Sequence, residues 1–119
     1  MGQTESVESQ SSLEPSVIKD ARVYVGDLVL DRAASTIQSH GLLPVKLSKN
    51  ELAILSVLAD NVGRAVTKSD LSDAVTGTDG DLHHSVIDTY IKYLHRQLQQ
   101  AHSAVTIEKV PDVGFRLRP

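Results

Sequence analysis

Residues 81–101 read DLHHSVIDTYIKYLHRQLQQA, and no glycine or proline interrupts them. At 1.5 Å per residue this stretch can form a helix about 30 Å long. Ile87, Ile91, Leu94 and Leu98 recur at spacings of 4, 3 and 4, which places them on one helical face. The sequence therefore predicts a long amphipathic helix at the centre of the fold, with this apolar face in the core.

The other face of the same helix is polar. It carries hydrogen-bond donors and positive charge, contributed by Ser85, Asp88, Thr89, Lys92 and Arg96, with Tyr93 and His95 between the two faces. Such a face is either exposed only to water or binds a ligand. These residues alone do not decide between the two.

The composition indicates one domain with an aliphatic core. The chain has 119 residues, 40% of them hydrophobic, but its aromatic residues are only Tyr24, Tyr90, Tyr93 and Phe115. The absence of cysteine excludes disulfides, thiolate zinc sites and thiol catalysis. No apolar run approaches a membrane span, and the N-terminus does not resemble a secretory signal. We therefore expect a cytoplasmic protein without membrane contact.

Negative charge is concentrated at the N-terminus. The net charge is −3, and residues 1–20 alone carry four acidic residues against Lys19. The rest of the chain is balanced before its histidines are counted, which permits nucleic-acid binding without supporting it. Residues 1–20 are also rich in Ser, Gln and Glu. We expect them to form a disordered tail or linker before one folded domain at 21–119.

Short β-like runs open the folded part of the chain. They cover residues 23–25, 28–30, 35–39 and 43–47, with turn residues between them. Four such runs predict a small antiparallel sheet. A sheet of this size needs helices packed on its apolar face to be stable.

The first helix is predicted by a capping box. The Ser48 hydroxyl can accept from the Glu51 N–H, and the Glu51 carboxylate can reach back to the Ser48 N–H. We expect this helix to cover 49–61 and to end at Gly63 as its C-cap.

The second helix is predicted by another N-cap residue, Thr67. It covers 68–75, and we expect its core contacts to come from Leu71, Ala74 and Val75. After the long third helix, residues 105–110 and 114–118 read as the strands of a hairpin. Pro111 belongs in the tip of that hairpin because it has no N–H to donate to a ladder.

The order of these elements predicts an α+β fold of the winged helix-turn-helix type. A small N-terminal antiparallel sheet comes first, then three helices, then a C-terminal β-hairpin wing. This arrangement suits double-stranded DNA, because the third helix fits the major groove and the hairpin can reach an adjacent groove. The N-terminal amides of neighbouring helices can bind phosphates.

Several motifs then come in one order over residues 23–118. They are Gly26-Asp27-Leu28-Val29-Leu30-Asp31, Leu47-Ser48 with Glu51, Leu55 and Leu58, Gly63-Arg64-Ala65-Val66-Thr67-Lys68, Leu71 to Gly77, Val86-Ile87-Asp88 to Leu98, and Ile107 to Leu117. In this order and spacing they resemble the OmpR/PhoB-type winged-helix domain, the effector half of many bacterial response regulators. The resemblance covers nearly all of the chain outside the tail.

The resemblance implies sequence-specific binding to double-stranded promoter DNA in a two-component system, usually as a head-to-tail homodimer on direct repeats. It also implies that RNA polymerase contacts the loop that begins at Thr76 and ends at Gly80. No cofactor, metal or enzymatic activity is implied.

Three departures from the family pattern reduce the expected affinity for DNA. The usual tryptophan of the loop is Thr76, the third helix has fewer arginines than usual, and the usual Arg-Gly of the wing is Pro111-Asp112. Each lost cation removes about one counterion-release contact. We expect binding that is weaker than typical, or that depends on another domain or on dimerisation.

Seven residues are predicted to contact DNA. They are Lys68, Ser85, Thr89, Lys92, His95, Arg96 and Arg116, and Arg118 is a further candidate along the wing. Lys92 and Arg96 lead because they lie one turn apart on the exposed face. For each cation the alternative is an ordinary surface charge.

The sequence also contains features of two other functions, a metal site and a protein-interaction surface. His83 and His84 beside Asp79 and Asp81 suggest a metal, but adjacent histidines point to different sides of a helix and no third ligand has zinc spacing. The stronger alternative is a protein-interaction module on the same scaffold, with weak or lost DNA binding. That alternative predicts an exposed apolar patch around Tyr90, Tyr93 and Val113.

Overall fold

A computed structural model describes residues 21–76 and 84–119 of the chain. Its elements, in chain order, are β1 (Arg22–Val25), β2 (Leu28–Asp31), β3 (Thr36–Ser39), β4 (Val45–Lys46), α1 (Lys49–Asp60), β5 (Val66–Thr67), α2 (Lys68–Thr76), α3 (His84–Gln100), β6 (Thr106–Val110) and β7 (Gly114–Arg118). The α+β winged helix-turn-helix architecture predicted from the sequence is confirmed. The predicted tail, residues 1–20, lies outside the described residues.

The N-terminal sheet has the order β1-β2-β3-β4, with every pair antiparallel. Gly26 and Asp27 connect β1 to β2, and Gly26 takes the left-handed conformation, with φ of 55°. Leu28, Leu30 and Ile37 alternate toward one face and are buried there. That face closes one side of the core.

The capping box at the start of α1 is confirmed. The Glu51 N–H donates to the Ser48 hydroxyl at 3.2 Å, and the Ser48 N–H donates to a Glu51 carboxylate oxygen at 2.7 Å. The expected C-cap at Gly63 was wrong, because α1 ends at Asp60 and Asn61 is its C-cap. Gly63 has φ of +80° two residues later, and its N–H donates to the carbonyl of Leu117 in β7 instead.

The second helix begins as predicted but contributes fewer buried residues. The Asp70 N–H donates to the Thr67 hydroxyl at 3.0 Å, which confirms the N-cap. Leu71 is fully buried, whereas Ala74 and Val75 are only half-buried. The helix faces a small part of the core, and it continues one residue beyond the prediction, to Thr76.

The third helix is the centre of the core. Ile87, Ile91, Leu94 and Leu98 are all buried, as the spacing predicted. The helix packs against α1, α2 and β6. Residues 81–83, the start of the predicted helix, and residues 77–80 of the predicted loop lie outside the described residues.

The hairpin of β6 and β7, hereafter the wing, belongs to a three-stranded antiparallel sheet of order β5-β7-β6. The strand β7 lies in the middle and pairs with both β5 and β6. The strand β5 was not predicted, because two residues give no periodicity to detect. Gly114 is paired with Thr67 of β5, and its backbone lies against the Val66 carbonyl.

Within the described part of the chain, no helix combines the length and apolarity needed to cross a bilayer.

Candidate nucleic-acid interface

The polar face of α3 presents a straight line of four exposed side chains. Ser85, Thr89, Lys92 and Arg96 are spaced by 4, 3 and 4 residues, which matches the repeat of the helix. We call them the α3 stripe; it is about 16 Å long. It carries two hydroxyls, with the Thr89 hydroxyl donating to the carbonyl of Ser85 at 3.4 Å. Lys92 forms no ion pair with any residue that the structure describes.

Arg96 lies against an aromatic side chain. Its guanidinium carbon is 5.9 Å from the centre of the Tyr93 ring, within the range of a cation–π contact. The Tyr93 ring meets the Tyr90 ring edge-on at 6.4 Å. The Tyr90 hydroxyl accepts from the Asn50 side-chain amide of α1 at 2.7 Å. A chain of contacts thus links α1 to the guanidinium of the stripe.

Lys68 lies at the start of α2, where it approaches both α3 and the wing. Its ammonium is 3.2 Å from a carboxylate oxygen of Asp88 and 6.0 Å from the centre of the Phe115 ring. Asp88 lies on the flank of α3, one turn before Lys92. The ion pair is partly exposed, so it contributes little to stability and mainly fixes where the Lys68 charge lies.

A shallow cleft opens between Lys68 and the wing. The other residues of this wing cleft are Lys109, Val110, Asp112, Val113 and Gly114. Lys109 is exposed and was not among the predicted site residues. Strand alternation gave no signal for it, because alternation puts Lys109 on the same face as the buried Ile107 although Lys109 is exposed near the tip.

The tip of the wing combines a backbone constraint with an acidic side chain. The Val113 N–H donates to the Val110 carbonyl at 3.1 Å, so Pro111 and Asp112 are the central residues of a β-turn. Asp112 has φ of 64°, the left-handed conformation that glycine normally takes at this position of a type II turn. Its carboxylate is therefore held at the tip, beside the cations of the wing cleft.

The wing arginines are occupied by a carboxylate of the same hairpin. Arg116 donates through Nε and Nη2 to Glu108 Oε1, at 3.0 and 2.5 Å, and Arg118 Nη1 donates to Glu108 Oε2 at 2.5 Å. The hydrogen bonds from Arg116, followed by those from Arg118, lower the pKa of Glu108 below its ordinary value. Sequence reasoning could not anticipate this arrangement, because it depends on the register that pairs Glu108 with Arg116.

His95 faces the wing rather than the line of the stripe. Its Nε2 lies 2.9 Å from the carbonyl oxygen of Ile107, so Nε2 carries the proton and donates to β6. This contact joins the polar side of α3 to the base of the wing. The sequence predicted that His95 contacts DNA together with Lys92 and Arg96. In the structure the His95 ring contacts the wing instead of lying in line with those two side chains.

The three residues of the predicted apolar patch are not equally exposed. Tyr90 is half-buried and packs against the core, while Tyr93 and Val113 expose 43% and 44% of their surface. Tyr93 lies beside Tyr90 on α3, whereas Val113 lies in the wing cleft. The side chains that were considered and rejected as metal ligands, those of Asp79, Asp81, His83 and His84, lie outside the described residues. Among the described residues, no group of metal-ligating side chains forms a site.

Known proteins share this sequence pattern. Residues 43–117 match the family model for "Transcriptional regulatory protein, C terminal". The chain is 33% identical over 100 residues to the transcriptional regulatory protein TrcR of Mycobacterium tuberculosis. The aligned region covers 84% of this chain and 38% of TrcR. The chain is also 30% identical over 96 residues to the response regulator ArlR of Staphylococcus epidermidis. That aligned region covers 79% of this chain and 42% of ArlR. The chain thus spans less than half the length of these relatives.

A solved structure shares the fold. The RstA DNA-binding domain of Klebsiella pneumoniae, crystallised in complex with the RstA box, superposes with a TM-score of 0.67 at 25% identity, over 82% of this chain and 97% of that domain. The family model covers more than half of the chain, and the fold agrees with it. The family is one of regulator domains without enzymatic activity. The chain therefore belongs to the OmpR/PhoB-type winged-helix DNA-binding domains of transcriptional regulatory proteins.

Proposed function

We propose that this chain binds double-stranded DNA sequence-specifically in bacterial transcription regulation, with α3 in the major groove and the wing at the adjacent groove. The α3 stripe carries the proposal. Its four side chains are exposed, polar and aligned, while the opposite face of the same helix is buried. The major groove is about 12 Å wide and admits a helix that presents such a line to base edges.

The predicted residues divide into two roles in this proposal. Ser85, Thr89, Lys92 and Arg96 face the groove, where hydroxyls, an ammonium and a guanidinium meet base edges and phosphates. Lys68 flanks them with its charge fixed by Asp88, and it faces a phosphate together with Lys109 of the wing cleft.

His95 and Arg116 act less directly. His95 supports the wing through its bond to the Ile107 carbonyl. Arg116 meets DNA only to the extent that phosphate competes with Glu108 for its N–H groups. This division explains how a helix with few cations and a wing with an acidic tip can still bind, although with less counterion release than a fully cationic interface.

Larger assemblies extend the same proposal. A homodimer on direct repeats would double the number of stripe contacts, and RNA polymerase would meet the loop from Thr76 to Gly80. Both extensions rest on family membership.

A salt titration tests the proposal. Fluorescent duplex DNA selected from a random library by the wild-type protein is titrated at about 50 and 200 mM salt, with the Lys92→Ala/Arg96→Ala double variant beside it. We expect wild-type affinity to fall with salt, and the variant to bind more weakly with a log–log salt slope smaller by about 1 if Lys92 alone meets a phosphate, or by about 2 if Arg96 does so too. A matched control, Arg22→Ala/Lys46→Ala, removes the same charge from the N-terminal sheet and should change the slope little.

Two outcomes would count against DNA binding by this face. Absence of selected sequences at low salt contradicts the proposal outright, and equal losses in both double variants show a charge effect without a defined interface. The first outcome favours the protein-interaction alternative, for which the exposed Tyr93 and Val113 are the supporting observation. Crosslinking from those two positions would then identify the surface used.

A further inference from the structure

We infer that Tyr93 is a positioning residue, which holds the Arg96 guanidinium so that its N–H edge meets the O6 and N7 acceptors of a guanine. The inference rests on the proposed function, because it assumes that α3 lies in the major groove. It goes beyond the proposed function in two ways: it names guanine as the base that Arg96 contacts, and it names Tyr93 as the residue that orients the Arg96 side chain.

The first argument is the way in which Arg96 is held. Arg22, Arg32, Arg116 and Arg118 each form an ion pair with a carboxylate, whereas Arg64 and Arg96 form none with any described residue. A carboxylate occupies the N–H donors of an arginine, whereas an aromatic ring contacts the guanidinium without using them. Arg96, 5.9 Å from the centre of the Tyr93 ring, keeps its donors available for a ligand.

The second argument is that the ring itself is anchored. Tyr93 contacts Tyr90 edge-on at 74°, and Tyr90 is fixed to α1 by the hydrogen bond from Asn50. Holding a long side chain in one place reduces the rotamer freedom that is lost when it binds. An arginine that is already oriented therefore gains more from each hydrogen bond to DNA.

The third argument concerns the ligand. Arg96 aligns with Ser85, Thr89 and Lys92 in the stripe, so it lies on the side of α3 that faces base edges in the proposed complex. A planar fork of donors matches two adjacent acceptors, and the commonest such pair in the major groove is guanine O6 and N7.

The test compares base preference rather than overall affinity. Selected sites are bound by the wild type, Tyr93→Phe, Tyr93→Leu, Arg96→Ala and the Tyr93→Leu/Arg96→Ala double variant, each against every single base-pair change. We expect Arg96→Ala to abolish discrimination at one G·C pair, by roughly 5-fold to 100-fold. Tyr93→Leu should lose most of the same discrimination, Tyr93→Phe should retain it, and Tyr93→Leu should add nothing when Arg96 is already absent.

A measurement without DNA supports the same test. Stacking on the ring shifts the NMR resonance of the Arg96 side-chain Nε–H, and we expect Tyr93→Leu, but not Tyr93→Phe, to return it to the value of a solvated arginine. Thermal unfolding shows that each variant is folded before it is compared. An unchanged resonance in Tyr93→Leu overturns the positioning role.

The remaining outcomes are distinct. An even loss of affinity across all sequences in Tyr93→Leu and Arg96→Ala identifies a phosphate contact and overturns the guanine assignment. An equal loss from Tyr93→Leu with and without Arg96 shows that Tyr93 acts on its own, which also overturns the inference. If the wild type selects no sequence at all, the proposed function itself fails, whatever the NMR resonance shows.

Discussion

At the scale of single residues, the tightest backbone contact at any described glycine lies where the wing meets β5. Gly114 makes this contact, because a Cβ built on it would lie 2.0 Å from the Val66 carbonyl oxygen and 2.9 Å from the Thr67 Cα. Both obstructing atoms belong to backbone, which cannot rotate away. Gly41 offers the contrast, since it has φ of +69° but no atom within 4 Å of its Cβ position.

These two glycines give a paired prediction for stability. We expect Gly114→Ala to lower the free energy of unfolding by at least about 3 kcal/mol, because β5 and β7 must separate to admit the methyl group. Gly41→Ala should cost only about 1 kcal/mol, the cost of a left-handed alanine in open space. Urea unfolding followed by circular dichroism measures both. Similar losses in the two variants would contradict the close approach of β5 to β7.

At the scale of elements, the features that could be predicted from the sequence are those formed by residues close together along the chain. The capping box of Ser48 and Glu51, the Thr67 cap and the buried face of α3 each depend on residues at most a few turns apart, and all were predicted. The strand β5 was missed because its partner, Gly114 with Phe115, lies far away in sequence. The misplaced C-cap at Gly63 has the same origin, since the Gly63 N–H is satisfied by the distant Leu117.

The candidate site follows the same rule. The stripe could be predicted because one helix supplies all of it. The capture of Arg116 and Arg118 by Glu108 could not, because opposite strands of the wing bring them together. The bond from His95 to Ile107 also joins two elements.

The wing supplies the prediction at this scale. With its pKa lowered chiefly by Arg116, Glu108 remains charged at neutral pH and occupies both arginines. If the wing approaches DNA as proposed, Glu108→Gln should release them, tighten binding at about 50 mM salt and steepen the log–log salt slope by about 1 to 2. Asp73→Asn, which removes a charge from an exposed position on α2, serves as the control. An unchanged slope in Glu108→Gln would place Arg116 away from the phosphates.

At the scale of the whole molecule, one side chain connects the N-terminal sheet to the end of the core helix. Asp27, in the turn between β1 and β2, accepts from the Ser103 hydroxyl at 2.6 Å and from the Ala104 N–H at 2.9 Å. His40 Nε2 lies 3.1 Å from the same carboxylate. The donors come from the α3–β6 connection and from the turn after β3, so three distant segments meet at one carboxylate.

This cluster makes stability depend on pH. The hydrogen bond from Ser103, followed by that from Ala104, lowers the pKa of Asp27 in the folded protein. A carboxyl whose folded pKa lies below its unfolded value, which is about 3.9 for aspartate, stabilises the fold fully above that value. The contribution disappears as the pH falls through the lower, folded pKa.

We therefore expect Asp27→Asn to lower the free energy of unfolding by about 1 to 2 kcal/mol near pH 7, with a difference from the wild type that shrinks as the pH falls from 4 toward 2. Urea unfolding at several pH values measures the difference. Ser103→Ala removes the largest cause of the shift, so an NMR titration of that variant should find the Asp27 pKa closer to its ordinary value. A difference between wild type and Asp27→Asn that stays constant with pH would mean that the charge of Asp27 does not hold the sheet to α3, and that packing alone joins the two halves of the domain.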